Sequence, residues 1–152
     1  MQPDHLPTPF SADDIRSGCP LGRTIRIRSE MPGCDPTFRR IRFVEVDADG
    51  ALQEFQATDA EGGPLQEPTH HRSSWVELQH HASKPASETV LDEVELALPL
   101  GTESCWRYTV GVGDDNAVFW FAQGRPGMPV QVEQHVGGEL VSRSIVLADD
   151  VT

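Results

Sequence analysis

The stretch that decides the fold class is residues 22–46, which read GRTIRIRSEMPGCDPTFRRIRFVEV. Isoleucines alternate with arginines in its first half, and Ile41 and Phe43 alternate with arginines in its second half. Apolar residues at every second position are typical of a strand that buries one of its faces. Residues 31–36, which contain two prolines and a glycine, predict a loop between the halves. The stretch therefore predicts an antiparallel hairpin.

The rest of the chain consists mainly of short alternating segments separated by turn residues. Turns are predicted at residues 47–50 and 61–64, and Gly137 with Gly138 has the composition of a two-residue hairpin turn. About eight strands are predicted in all, including the two of the opening hairpin. The others are predicted at residues 52–58, 89–98, 104–110, 117–122, 130–136 and 139–147.

One helix is predicted within this series of strands, over residues 73–82. Ser74 and Glu77 have the spacing of a capping box, in which each side chain accepts a hydrogen bond from the other residue's backbone N–H. Trp75 and Leu78 would lie on the face of the helix that packs against the sheet. Because the helix falls between the third and fourth strands, it has to cover part of the sheet.

Short links between strands, without regular alternation of strands and helices, indicate an α+β fold that is mostly β. We expect a curved antiparallel sheet, built as a meander or a half-barrel, with the one predicted helix covering it. Residues 1–21 are expected to form an N-terminal arm with a short helix that begins after Ser11. Residues 22–148 are expected to form a single β domain, and residues 149–152 a C-terminal tail.

The charge of the chain is strongly acidic but unevenly distributed. Its net charge is −12, yet residues 16–42 carry seven arginines against two acids, a local charge of +5. Residues 43–152 carry five bases against 19 acids, a charge of −14. A net negative charge repels the phosphates of nucleic acids and of anionic lipids. We therefore expect neither nucleic acid nor a membrane as a partner.

The location and the redox state are predicted from the N-terminus and the cysteines. Residues 1–10 contain three prolines and no apolar run, so we expect no signal peptide or lipid anchor and a cytoplasmic location. The strand predicted between Cys19 and Cys34 would separate them by roughly 30 Å, whereas a disulfide needs Cα atoms within about 7 Å. With Cys105, three free thiols are expected.

Three segments in the C-terminal third carry a resemblance to known proteins. They read GTESCWRY at residues 101–108, VFWFA at residues 118–122 and PGMPV at residues 126–130. This pattern resembles uncharacterised bacterial β-rich domains whose fold is similar to the half-barrel of lipoprotein carriers. The resemblance implies a curved sheet with a helix laid across its concave side, where some relatives hold acyl chains.

Aromatic residues are the candidates for binding an apolar ligand. Trp106 and Tyr108 lie on one side of their predicted strand, and either Trp120 or its two neighbours lie on the same side of the next strand. Such residues could line a ligand cavity. The alternative is a filled core, because only 38% of the residues are apolar. The candidate ligand-binding residues are Trp75, Trp106, Tyr108, Phe119, Trp120 and Phe121.

A second candidate site is a group of arginines on the polar side of the opening hairpin. Neighbouring strands would place like charges on one sheet face, which is destabilising unless they are neutralised. The neutralising group could be an anionic ligand or an acidic partner protein, or acids of this chain such as Glu54. The four arginines are Arg26, Arg28, Arg40 and Arg42.

The helix also carries weak candidates for metal binding. Glu77 precedes His80 and His81 by one helical turn, a spacing at which a carboxylate and an imidazole share a face. The alternative is that these histidines are solvated at the C-terminal end of the helix, where positive charge is favourable. A third and a fourth ligand would have to come from His70, His71 or His135. Because adjacent histidines normally point in different directions, we expect no metal and no other cofactor.

The expected function is binding rather than catalysis. The chain contains no nucleophile elbow, no phosphate-binding glycine loop and no zinc-protease motif. We therefore expect a non-enzymatic binding or protein-interaction domain, which meets a protein partner through its sheet edges or its charged face. The alternative is a carrier of a hydrophobic small molecule or an acyl chain in the concave face of the sheet.

Overall fold

The computed structural model describes residues 5–151, in which nine strands form one antiparallel sheet. This confirms the mostly β fold with a curved, open antiparallel sheet. The strand order is β4-β3-β2-β1-β9-β8-β7-β6-β5. In chain order the elements are α1 (Ala12–Gly18), β1 (Arg23–Glu30), β2 (Thr37–Val46), β3 (Gly50–Thr58), β4 (Thr69–Ser74), α2 (Trp75–His80), a 3₁₀ turn (Ala86–Glu88), β5 (Thr89–Leu98), β6 (Gly101–Val112), β7 (Asp115–Ala122), β8 (Gln131–Val136) and β9 (Glu139–Val151).

The sheet is built from two meanders that meet at its centre. Strands β1 to β4 run outward to one edge, and strands β5 to β9 run inward from the opposite edge. The meanders are joined where β1 pairs with β9, with Arg23 opposite Val151 and Glu30 opposite Arg143. The connection between the two edges contains α2 and the 3₁₀ turn. This route carries α2 across one face, which we call the inner face; the other is the outer face.

Strand β4 was not predicted from the sequence, and it shortens the predicted helix. Residues 69–74 read THHRSS, which contains few residues that favour strands. Pairing with β3 supplies the missing stability, with Phe55 opposite Thr69 and Gly50 opposite Ser74. The helix therefore begins at Trp75 and not at residue 73, and Ser74 is its N-cap.

Strand β9 is longer than predicted. It continues to Val151, so residues 149–151 belong to the sheet and not to the predicted tail. Asp149 lies opposite Ile25 in the pairing with β1. The extension is stabilised because the Asp149 carboxylate forms an ion pair with Arg23.

Much of the core lies between the inner face and the segments that cross it, and buried side chains on the outer face of β6 and β7, among them Cys105 and Trp120, extend it. Phe10, in the N-terminal arm, packs edge-on against Trp106 and Phe121, with ring centroids 5.5 and 6.5 Å away. The hydroxyl of Tyr108 donates a hydrogen bond of 2.8 Å to the carbonyl of Pro7. The arm is thus part of the core. Within the described part of the chain, no helix has the length and hydropathy to cross a membrane.

Candidate functional site

The inner face leaves a cavity of about 200 Å³ between the sheet and the two helices. Side chains of α1 and α2 cover it, and Cys19 follows α1 at its edge. The helices are held in place by their caps, since Ser11 and Ser74 each form a capping box with the residue three positions on. The main apolar residues of the wall are Ile15, Ile25, Phe43, Leu78, Phe119 and Phe121.

The mouth of the cavity carries polar and cationic side chains. His81 lines the cavity and is exposed, so the cavity reaches solvent beside it. The Nζ atom of Lys84 lies 3.9 Å from the centroid of the Phe119 ring, an arrangement that a cation–π interaction stabilises. Burial lowers the pKa of Lys84. The mouth therefore places a partly desolvated ammonium group beside an apolar interior.

The wall next to α1 contains a buried ion pair. Arg23 donates to both oxygens of Asp149, at 2.9 Å from Nε and 2.7 Å from Nη2, and both side chains are over 90% buried. Its Nη1 donates to the carbonyls of Gly18 and Pro126 and to the sulfur of Cys19. Burial alone would lower the pKa of Arg23, but the hydrogen bonds to Asp149, together with the Cys19 sulfur and the charge of Asp149, outweigh it and raise the pKa. Arg23 is therefore charged, and each of its nitrogens has a protein partner.

The Cys19 thiol lines the cavity but is not activated. Its sulfur lies 3.1 Å from Nη1 of Arg23. Burial raises the pKa of Cys19, and the charge of Arg23 offsets this only in part. The thiol is accordingly neutral at physiological pH, whereas a nucleophilic cysteine needs a lowered pKa. All three cysteines are free, as predicted, and Cys34 is exposed while Cys19 and Cys105 are buried.

Strand register decides which of the predicted aromatic residues share a face. Trp106 lies opposite Phe121, and Tyr108 lies opposite Phe119, so these four are on the inner face. Trp120 lies opposite Arg107 and is therefore on the outer face, where it is buried and belongs to the core. Of the six aromatic candidates, Phe119 and Phe121 line the cavity.

The other aromatic candidates have structural roles. Trp75 is buried, and its Nε1 donates a hydrogen bond of 2.8 Å to the carbonyl of Asp47. Tyr108 is 2% exposed, and burial raises its pKa. Trp106 is half-buried and borders a shallow cleft of about 410 Å³ beside Phe10 and Pro126. The inner face is thus a filled core that opens into a cavity near Phe119.

The arginine face, defined as Arg26, Arg28, Arg40 and Arg42, lies on the outer face of β1 and β2. Arg26 is directly opposite Arg40, so two like charges are cross-strand neighbours. Arg28 forms an ion pair of 2.8 Å with Glu30. The predicted neutralisation by acids of this chain is therefore present for Arg28.

The remaining arginines of the arginine face are less well neutralised. Arg40 approaches Glu54 at 3.7 Å, beyond hydrogen-bond distance, and its Nε has no hydrogen-bond partner among residues 5–151. Arg26 donates to the carbonyl of Ala60, and Arg42 donates to the hydroxyl of Thr24 at 3.3 Å. Neither has a carboxylate within 4.0 Å in the described part of the chain.

The side chains named as weak metal candidates have other contacts. The Glu77 carboxylate accepts a hydrogen bond of 3.0 Å from the backbone N–H of Ser74, which completes the capping box. His80 ends α2, and His81 is its C-cap. No group of three or more His, Cys, Asp or Glu side chains in residues 5–151 is placed to hold a metal ion.

The ion pair of Arg23 and Asp149 was not predicted from the sequence. The sequence did indicate that Arg23 is buried. It lies two and four positions before Ile25 and Ile27 and so falls on the same, buried side of β1. A cation on that side requires an anionic partner. The partner could not be identified from the sequence, since Asp149 lies 126 positions away.

These features define a class of protein: an open, curved antiparallel sheet whose inner face is crossed by helices over a small apolar cavity. A solved structure of MucB has a similar fold, with a TM-score of 0.57 and 10% sequence identity. The similarity covers 90% of this chain and 55% of the MucB chain, so the chain spans about half the length of MucB. At this identity the likeness shows a shared β-rich fold. No protein-family model matches the chain, and no curated protein matches its sequence.

Proposed function

We propose that this protein is a non-enzymatic binding domain whose inner-face cavity takes one apolar group of a small molecule. The observation that carries the proposal is the cavity of about 200 Å³, which is walled by aliphatic and aromatic side chains and reaches solvent beside His81. An apolar protein cavity of about 150 Å³ stays dry and binds benzene. A cavity of this size and lining can therefore hold a ring or a short chain.

The size of the cavity limits the ligand. Pockets for drug-sized ligands measure about 300 to 1,000 Å³, so this cavity fits one short chain or one ring and not several acyl chains. Each buried methylene contributes about 0.8 kcal/mol. A chain of about five methylenes would gain about 4 kcal/mol, which corresponds to a dissociation constant of about 1 mM. We expect weak binding unless a polar head group adds contacts at the mouth.

The two polar groups of the cavity wall beside α1, Arg23 and Cys19, favour binding over turnover. The guanidinium of Arg23 is engaged by Asp149 and by backbone carbonyls, and the Cys19 thiol has a raised pKa because of its burial. A catalytic site needs a nucleophile or base whose pKa is adjusted to the reaction. Neither side chain meets that requirement.

Cavity filling tests the proposal. Octanol binding to the full chain would be measured by isothermal titration calorimetry for the wild type and for Ala82→Leu, which adds methyl groups at the cavity wall. We expect Ala82→Leu to weaken binding by at least about tenfold, the equivalent of about 1.4 kcal/mol. Ala86→Leu in the exposed 3₁₀ turn is the matched control and should bind octanol like the wild type. Equal affinities of the wild type and Ala82→Leu would refute binding in this cavity.

A further inference from the structure

We infer that the arginine face binds an acidic segment of a partner protein in an extended conformation. This surface lies on the outer face of the sheet, opposite the cavity, so the inference is independent of the proposed small-molecule binding. It begins from the pairing of Arg26 with Arg40 across β1 and β2. Like charges at directly opposed positions are destabilising unless an anion lies between or above them.

The described residues supply only part of the required negative charge. Arg28 has Glu30 as a partner, and Arg40 has Glu54 at the longer distance of 3.7 Å. Arg26 and Arg42 donate to a backbone carbonyl and to a hydroxyl, both uncharged acceptors. Guanidinium groups bind carboxylates in a fork of two parallel hydrogen bonds, which these neutral acceptors do not provide.

The spacing of the arginines fits an extended acidic peptide. Arg40 and Arg42 are two residues apart on β2 and lie on the same face, about 6.8 Å apart at about 3.4 Å per residue. Alternate side chains of an extended peptide have the same repeat. A segment with Asp or Glu at every second position could therefore place successive carboxylates beside Arg40 and Arg42, with Arg26 next to the first of them.

The charge distribution favours a short protein segment over a nucleic acid or a second copy of the chain. A nucleic acid would extend beyond the arginine face to residues 43–152, whose charge is −14, and a second copy brings a net charge of −12. A short acidic segment contacts only the arginine face. At physiological salt the remote acids are screened beyond about 8 Å.

The test measures binding of a fluorescein-labelled peptide of alternating Glu and Ser to the full chain by fluorescence anisotropy. The matched variants are Arg26→Gln/Arg42→Gln, on the arginine face, and Arg16→Gln/Arg107→Gln, which change the net charge equally on α1 and β6, away from that face. We expect at least about tenfold weaker binding for the first pair and less than about twofold for the second. Circular dichroism and thermal unfolding check that each variant is folded; Arg42→Gln alone replaces the first pair if that pair does not fold.

Three results would overturn the inference. Equal losses in the two variant pairs would show that only net charge matters. Tighter binding of a single-stranded oligonucleotide than of the Glu-Ser peptide, lost in Arg26→Gln/Arg42→Gln, would assign the face to phosphates. Self-association of the wild type in sedimentation, abolished by the same pair, would make a second copy the occupant.

Discussion

At the scale of single residues, the ion pair between Arg23 and Asp149 is the feature with the largest expected energetic effect. Both side chains are over 90% buried. Removing one member of a buried pair leaves an uncompensated charge, at a cost of about 3 to 5 kcal/mol. We expect Arg23→Met to lower the free energy of unfolding by about 3 kcal/mol, the lower end of this range. The loss is not larger because Arg125 remains 3.5 Å from the Asp149 carboxylate and partly neutralises it. Urea unfolding followed by circular dichroism measures this.

The double variant Arg23→Met/Asp149→Leu separates the charge effect from the packing effect. It should be more stable than Arg23→Met, because no unpaired carboxylate stays buried. It should not reach the wild type, since the carbonyls of Gly18 and Pro126 still lose their donor. Arg107→Met, which breaks a more exposed pair with Asp92, is the control and should cost about 0 to 1 kcal/mol. A double variant less stable than Arg23→Met would contradict this account.

The three thiols should differ in reactivity. Cys34 is exposed, whereas Cys19 and Cys105 are buried, and burial raises the pKa of both buried thiols. Because the thiolate is the reactive form, we expect one thiol to react rapidly in the native protein and all three in denaturant. Titration with a chromogenic disulfide reagent counts them. Cys34→Ser should remove the rapid reaction, and a rapid native reaction in that variant would show that Cys19 or Cys105 is accessible.

At the scale of elements, the capping box of α2 couples the stability of this helix to pH. The hydrogen bond from the Ser74 backbone N–H lowers the pKa of Glu77 below its usual value of 4.5. A pKa that is lower in the folded state means that the ionised carboxylate contributes stability at neutral pH. That contribution is lost as the pH falls below 4.5 and through the pKa of the folded state.

Glu77→Gln tests this coupling because an amide retains the hydrogen-bond acceptor but cannot ionise. We expect the wild type to have the higher melting temperature at neutral pH and the difference to vanish in acid. Melting curves at a series of pH values measure it. Gln66→Ala, a change of a non-ionisable side chain at an exposed position in the loop before β4, is the control, and any difference from the wild type should be the same at every pH. A difference between wild type and Glu77→Gln that persists unchanged in acid would argue against an ionised cap.

The elements that the sequence predicted are those with local signals. Period-two alternation identified β1 and β2, and the capping box of Ser74 and Glu77 identified α2. Strand β4 was missed because its THHRSS sequence is a strand only through its pairing with β3. The end of β9 was missed because it depends on the contact of Asp149 with Arg23. The strand propensity of a local segment contains no information about such long-range contacts.

At the scale of the whole molecule, the candidate site could be predicted only as a set of alternatives. The sequence placed either Trp120 or its neighbours on the inner side, and the register of β6 and β7 selected Phe119 and Phe121. The cavity itself requires α1, α2 and four strands (β1, β2, β3 and β7) to be in position. Its residues come from distant parts of the chain, so no local pattern could show it. The arginine face was predictable because its members lie on two consecutive strands.

The arrangement of the two meanders predicts how the molecule unfolds. Their backbones are joined by the pairing of β1 with β9, and their side chains share one core, in which Ile25 and Ile27 of β1 join Val146 of β9 and Phe121 of β7. The N-terminal arm extends the same core, since Phe10 packs on Phe121. Neither meander keeps a closed core without the other. We therefore expect a single cooperative transition and not stepwise loss of the two halves.

Tryptophan fluorescence can follow the two meanders separately. Trp75 lies at the start of α2, next to β4, whereas Trp106 and Trp120 lie on β6 and β7. In Trp75→Phe the fluorescence follows the second meander, and in Trp106→Phe/Trp120→Phe it follows the region of β4. Each variant would be unfolded in urea and its fluorescence midpoint compared with its own circular dichroism midpoint, so that a change in overall stability cancels. We expect the two midpoints to coincide within each variant. A separation of more than about 0.5 M urea in either variant would show that the meanders unfold independently.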